Sequence, residues 1–328
     1  MRIAIAGATG AVGVEMMRVM ERRNFPVKSL RLLASERSVG KPMIFRGEEH
    51  HVELLTVDSF RDIDVVFFSA GAGRSLEFIP AAVQSGAVVI DNSSAFRMMP
   101  DVPLVVPEIN GEDVAKHRGI IANPNCTTAI TLMALAPLHK AFGVKRVFAS
   151  SYQSVSGAGA RGIEELREQT NAVLKGEVHE PEIFKHPIAF NVIPHIDSFL
   201  ENRYTKEEMK MENEARRILH LPDFRASVTC VRVPVNRAHS IAVSAEFEKE
   251  PDLQVARKAI EAFPGVQLLD EPFEGIYPMP LQCAGQDDCF AGRLRHDCAM
   301  DKGLAFWVCG DQLLRGAALN AVLIAEKL

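Results

Sequence analysis

The chain has 328 residues, of which 47% are hydrophobic and 24% charged, with a formal net charge of -5. That length exceeds a typical single core, so two domains are expected, and the acidic balance provides no overall basic field for a nucleic-acid backbone, although a local pocket for a small anion stays open. No apolar run reaches the roughly eighteen residues that suggest a membrane span, and six cysteines without paired C-x-x-C spacing speak against a disulfide scaffold or a metal site.

The first apolar run, Arg2 to Ala6, begins with no signal-like segment ahead of it, and a cytoplasmic address is expected. It leads into Gly7-Ala8-Thr9-Gly10-Ala11-Val12-Gly13 and then a helical pattern over residues 11–23. The spacing G-x-x-G-x-x-G is a variant of the commoner dinucleotide fingerprint, and alone it is equally a tight strand-to-helix turn without a ligand. Its place at the head of a βαβ pattern favours a pyrophosphate at the helix N-terminus. The second strand, Ser29 to Ala34, runs into Ser35-Glu36-Arg37-Ser38. Arg37 and Ser38 can hold a 2′-phosphate through charge-assisted bonds, which argues for NADP, whereas Glu36 could bond the free ribose of NAD or point to solvent.

Further buried-strand runs are predicted at Val65-Val66-Phe67-Phe68, Val88-Val89-Ile90, Leu104-Val105-Val106 and Ile120-Ile121. Strands alternating with helical patterns predict an α/β, Rossmann-type, doubly wound parallel sheet. Asn123-Pro124-Asn125-Cys126 follows, and a helical pattern over residues 127–142. A thiol at the mouth of a helix meets unpaired N–H groups and the positive dipole end, which favour thiolate and attack on a carbonyl. Free cysteines are more often small buried hydrophobes, and Cys230, Cys283, Cys289, Cys298 and Cys309 are read that way.

Beyond Cys126 the texture is α+β: a strand over 145–150, a loop over 153–162, a charged helix over 206–219, and strands over 226–233 and 240–246. His239, after a strand and turn and beside arginines, is the best placed of ten histidines as a proton-transfer partner, although such a histidine often only caps a turn. The loop Ser151-Tyr152-Gln153-Ser154-Val155-Ser156-Gly157 offers the Gln153 amide to orient a carbonyl and small residues beside which a flat ring can lie; a flexible connector is the plain alternative. Residues 310–328 read as an apolar helix, with Leu313, Ala317, Ala321 and Ile324 at helical spacing, returning to the first domain.

In this order, GATGAVG from Gly7, LASERSVG from Leu33, DNSSAFR from Asp91, VPEIN from Val106, NPNCTT from Asn123, SYQSVSGAG from Ser151, YTKEEMKM from Tyr204, CVRVPVNRAHS from Cys230 and GDQLLRGAALNA from Gly310 resemble the aspartate-β-semialdehyde dehydrogenase family. The resemblance extends from Gly7 to the last helix. It implies an NADP-binding domain over 1–125 and 311–328, a catalytic and dimerisation domain over 126–310, and a homodimer or homotetramer.

Members of that family reduce L-aspartyl 4-phosphate with NADPH to the semialdehyde and phosphate, a step toward lysine, methionine and threonine. Carried onto this chain, the resemblance makes Cys126 the nucleophile, Gln153 the acyl-positioning group and His239 the general acid/base. Arg232 would clamp the α-carboxylate and Glu207 would face the ammonium group or that arginine. Arg97, Lys210 and Asn125 would hold the phosphate. Gly7, Thr9, Gly10, Ala11 and Val12 would line the pyrophosphate and Arg37 and Ser38 the 2′-phosphate. Ser156, Gly157 and Gln312 would meet the nicotinamide, Gln312 standing where relatives often carry Asn. The rival readings are N-acetyl-glutamyl-phosphate reductase, which takes an acylated amine, and a non-catalytic NADP-binding relative.

Overall fold

Short apolar runs of the N-terminal part pair side by side into one parallel sheet. Its strands are β1 (Arg2–Ala6), β2 (Ser29–Ala34), β3 (Glu53–Leu54), β4 (Val65–Phe68), β5 (Val88–Asp91) and β6 (Ile120–Ala122), in the order β3-β2-β1-β4-β5-β6. Helices α1 (Ala11–Arg22) and α2 (Ala72–Gln84) follow β1 and β4. All four residues of β4 are buried, so both sheet faces are covered, which is why these strands read as unbroken apolar runs rather than alternating ones. Strand order reverses between β1 and β4, the switch point at which an open α/β sheet offers a crevice to a ligand.

The computed structural model describes residues 1–328, which separate into two compact units, Met1–Asn125 with Ala317–Leu328, and Cys126–Gly316. The return to the first unit therefore falls at Ala317 rather than at residue 311. The C-terminal helix Leu319–Ala325 packs on α1 and β5 within that unit.

Two expectations change here. Leu104-Val105-Val106 is buried but forms only a bridge from Leu104 to Ala122. Pro103 and Pro107 flank it, lack N–H donors and stop the ladder, and a helical turn Pro107–Asn110 follows at once. A hairpin that pairs apolar Pro42–Phe45 with polar Glu48–His51 also appears, unannounced by any apolar alternation in its second strand.

The second unit is built on a mixed sheet. Helix α3 (Cys126–Phe142) leads to β7 (Val144–Gln153), and α4 (Ala160–Lys175) and α5 (Lys206–Ile218) precede β8 (Arg225–Arg232). Then come β9 (His239–Phe247), α6 (Leu253–Glu261), β10 (Val266–Leu268), β11 (Cys289–His296) and β12 (Gly303–Gly310), in the order β8-β7-β9-β12-β11-β10. Most of α3 is buried, and it packs on α5, α6 and the sheet. Along β7, Val147, Ala149, Ser151 and Gln153 are buried while Phe148 and Tyr152 between them are exposed, the period-two signature of a sheet with one covered and one open face. No helix is long and apolar enough to cross a membrane.

The expected helix over 310–328 is really three pieces: the end of β12, a π-helical turn Leu314–Ala318, and the C-terminal helix. The expected loop over 153–162 is a 3-10 turn, Val155–Ala158, with Val155 and Ser156 buried, running into α4. Apolar spacing alone does not separate a strand end or a π turn from a continuous helix.

Candidate active site

Strand directions in the second unit decide which side chains meet. β8 lies parallel to β7 with Arg232 opposite Gln153, so the last residues of both strands reach the same end of the sheet. β9 runs antiparallel to β7, so its first residue, His239, arrives at that end too. β12 is antiparallel to β9 with Gly310 opposite His239, and Gln312 follows two residues later. Four segments distant in sequence thus deliver polar groups to one edge.

The groups are buried and tied together. Gln153 Nε2 donates to Glu207 Oε1 at 3.2 Å and its Oε1 accepts from Ser151 Oγ at 2.9 Å. Glu207 and Lys210 stand three residues apart in the first turns of α5, whose start is set by a capping box between Thr205 and Glu208. Lys210 Nζ donates to Glu207 Oε2 at 2.7 Å and to Asp197 Oδ2 at 3.2 Å. Arg232 Nη1 donates to the Ser154 carbonyl at 2.6 Å, and its guanidinium lies 5.7 Å from the Phe184 ring centre. Burial lowers the Arg232 pKa, while the charges of Glu207 and Cys126 act to raise it. The guanidinium therefore remains the local cation.

His239 is fully buried. Its Nδ1 accepts the Ser154 backbone N–H at 3.1 Å, so a neutral ring carries its proton on Nε2, an atom with no partner in the protein. Burial, and after it the Arg232 cation, push the His239 pKa down to about 3, with Glu207 pulling the other way. The ring is therefore neutral, and Arg232 supplies the positive charge.

Cys126 opens α3 and is half-buried, where the dipole of a long helix favours thiolate. Cys230 is its contrast, since burial foremost pushes that thiol up and keeps it inert. Gly316, in the π turn, approaches so closely that a β-carbon there would lie 2.5 Å from the Cys126 Cβ.

Ser156 and Gly157 lie in the 3-10 turn. A β-carbon on Gly157 would sit 2.7 Å from Arg232 Nη1 and 3.3 Å from His239 Cε1, so this glycine is required by close approach. Gln312 ties two segments of the site together. Its Oε1 accepts the Ala238 N–H at 2.9 Å and its Nε2 donates to Ser156 Oγ, so both ends of the amide are engaged inside the protein. Ala238 holds a left-handed φ of 73°, and this bond pins it just before His239.

The first unit carries the glycine turn and the side chains of Arg97 and Asn125. Gly7 has a φ of 88°, and any β-carbon on it would meet the Ser69 carbonyl oxygen at 2.3 Å. Gly10 N donates to Gly7 O, closing the turn that carries Thr9, Ala11 and Val12 into α1. Thr9 Oγ1 and Ser38 Oγ are 3.2 Å apart, which joins the glycine turn to the segment after β2 that bears Arg37. Arg97 is buried, with Nε donating to Asn123 O and Nη2 to Asn92 O, each at 2.8 Å. Asn125, also buried, ends this unit one residue before Cys126.

The family model for the semialdehyde dehydrogenase NAD binding domain matches residues 2–117, and that for the semialdehyde dehydrogenase dimerisation domain matches residues 135–315. An aspartate-semialdehyde dehydrogenase of Aquifex aeolicus is 51% identical over 331 residues, covering 100% of this chain and 97% of that protein. The chain belongs to the aspartate-semialdehyde dehydrogenase family. The enzyme of that name from Bacillus subtilis is 46% identical, over 100% of this chain and 97% of its own. The crystal structure of aspartate semialdehyde dehydrogenase II from Vibrio cholerae, complexed with ASA, is 44% identical with a TM-score of 0.97, covering 100% of this chain and 97% of that one.

For this member of the aspartate-semialdehyde dehydrogenase family, some residues that shape the site left no readable sequence signal. Ser154 presents both its N–H and its Oγ to His239 Nδ1, yet it reads as one more small loop residue. Asn320, in an apolar helix, donates to Asn123 Oδ1 at 2.6 Å and to Val105 O at 2.9 Å, holding the strand end that leads to Cys126. An asparagine inside an otherwise apolar stripe was the available clue. Gly316 could be found only from the fold.

Proposed function

We propose that the protein reduces L-aspartyl 4-phosphate to L-aspartate 4-semialdehyde with release of phosphate, using NADPH and a thioester on Cys126. The convergence of Gln153, Arg232 and His239 at one sheet edge carries this reading, because the three supply an amide, a fixed cation and a ring N–H from rigid strands.

The Cys126 thiolate attacks the acyl carbon, the C–O bond to phosphate breaks, and phosphate leaves with the proton that the thiol gave up. Bound NADPH supplies the hydride that reduces the thioester. Arg232 pairs with the substrate α-carboxylate, and Glu207 with its ammonium group. His239 donates a hydrogen bond from its Nε2–H to the acyl oxygen, stabilising the negative charge that develops there until the C–S bond breaks. Gln153, held by Ser151 and Glu207, sets the plane of the acyl group. Arg97, Lys210 and Asn125 take the phosphate. After hydride addition the tetrahedral thiohemiacetal collapses, the C–S bond breaks and the thiolate returns.

The residues of the first unit fit an NADP(H) molecule. Gly7 leaves no side chain at the turn, and the Thr9–Ser38 contact brings hydroxyls beside Arg37. Ser156 and Gly157 border the nicotinamide in the second unit, with Gln312 holding their turn. Arg37→Ala is expected to raise the KM for NADPH about tenfold or more and leave that for NADH within about twofold, read by steady-state kinetics with both cofactors. Equal changes would remove Arg37 from 2′-phosphate recognition.

The first unit binds NADP, and the second performs catalysis and self-association. Phe148 and Tyr152 on the open sheet face, with the Trp307 ring 5.3 Å from that of Tyr152, support a homodimer, or a tetramer built from it. The deciding assay offers aspartate semialdehyde and N-acetylglutamate semialdehyde to purified protein with NADP and phosphate. Faster oxidation of the acetylated compound would overturn the substrate assignment.

A further inference from the structure

In the first unit, an open cavity of about 380 Å³ lies beside the end of β2, lined by Ser35, Glu36 and Arg37 from that side. Leu54 and Leu55 continue the wall, and Arg74, Glu77 and Phe78 on α2 complete it. Apolar Leu54, Leu55 and Phe78 suit a flat ring, and the charged residues suit a polar group attached to it.

Arg74 is the feature without a structural explanation. It stands third in α2, in the first turn, where the helix dipole disfavours a cation. It makes no hydrogen bond or ion pair, and neither does Arg37, although Glu36 and Glu77 line the same cavity. An arginine placed against the dipole, exposed and unpaired, gives nothing to the folded chain. Beside a second unpaired arginine it gives a doubly charged anion two guanidinium forks instead of one.

We infer that Arg74 is a second determinant of cofactor choice, contacting the 2′-phosphate of NADP together with Arg37. This rests on the reading that NADP is the cofactor. The two glutamates sharpen the choice, since they repel a phosphate unless both arginines neutralise it, and Glu36 alone suits a free ribose hydroxyl. Loss of one arginine therefore weakens NADP more than a single surface charge would, while NAD is little affected.

The test uses the full-length protein and its Arg74→Ala, Arg74→Lys and Arg37→Ala/Arg74→Ala variants. Steady-state kinetics with NADPH and NADH are paired with calorimetric titration of 2′,5′-ADP and of ADP. Arg74→Ala is expected to raise the KM for NADPH and weaken 2′,5′-ADP roughly tenfold, with NADH and ADP shifted less than about twofold. Arg74→Lys should recover part of the loss, because it keeps the charge without the fork, and the double variant should lose about a hundredfold. Equal changes for the phosphorylated and unphosphorylated ligands, or no change, in a wild type that prefers NADPH would overturn the role of Arg74. A wild type that prefers NADH fails earlier and separately, because it removes the NADP reading itself. Thermal melting of Arg74→Ala should match or exceed that of the wild type, as expected for removing a cation from a helix N-terminus.

Discussion

Cys126→Ala is expected to abolish turnover, by about 10⁴-fold or more, while NADPH still binds. The substitution removes the only sulfur at the start of α3 and leaves the helix intact, since alanine is the residue a helix tolerates best. No other thiol can replace it: Cys230, Cys283, Cys289 and Cys309 are buried, and Cys298 lies exposed outside the helix start. Cys126→Ser should be nearly as inactive, because a hydroxyl is not ionised by a helix dipole and one cation. The measurement is single-turnover kinetics with NADPH fluorescence titration, together with mass spectrometry of peptides after mixing with aspartate semialdehyde and NADP without phosphate. An acyl adduct is expected on the Cys126 peptide. Turnover retained in Cys126→Ala, or an adduct that resides elsewhere, would contradict the thioester.

Gly316→Ala is the second large effect, and it tests the fold as well as the chemistry. The new methyl would lie 2.5 Å from Cys126 Cβ and 3.0 Å from its Cα, far inside contact distance. The π turn cannot recede easily, because Gln312 is bonded at both ends and Arg315 Nε donates to the Asp287 carbonyl. The nucleophile must move instead. Overpacking of this kind costs about 1–3 kcal/mol of stability, and a displacement of about 1 Å at a reacting atom costs about 10²-fold in rate. The expected result is a kcat lowered about a hundredfold with a melting temperature reduced by a few degrees, while NADPH binding is kept. Slower alkylation of Cys126 by iodoacetamide would accompany it. Wild-type kcat in a folded Gly316→Ala protein would mean that the turn does not hold Cys126 in place.

Local patterns were legible because their causes are local. A strand buried on both faces must be apolar throughout, and Val65–Phe68 announces itself as one. A glycine turn ahead of an amphipathic helix reads as a phosphate-type site because Gly7 must take a positive φ there. Cys126 was visible for the same reason, since a helix start activates a thiol through its own backbone. Chain order of the motifs then identified the family.

What only the tertiary structure decided depends on residues far apart in the chain. Gln153, Arg232 and His239 meet because β8 is parallel and β9 antiparallel to β7, a matter of pairing that no short window records. His239 is neutral rather than cationic because burial and Arg232 outweigh Glu207, and burial is a property of the packed molecule. Gln312 holds Ala238 and Ser156 in place, and residues 310–328 break at a π turn so that Gly316 can lie against Cys126. Sequence by itself determined which chemistry was on offer. The packing of distant segments determined the charge state, orientation and clearance of the groups that perform it.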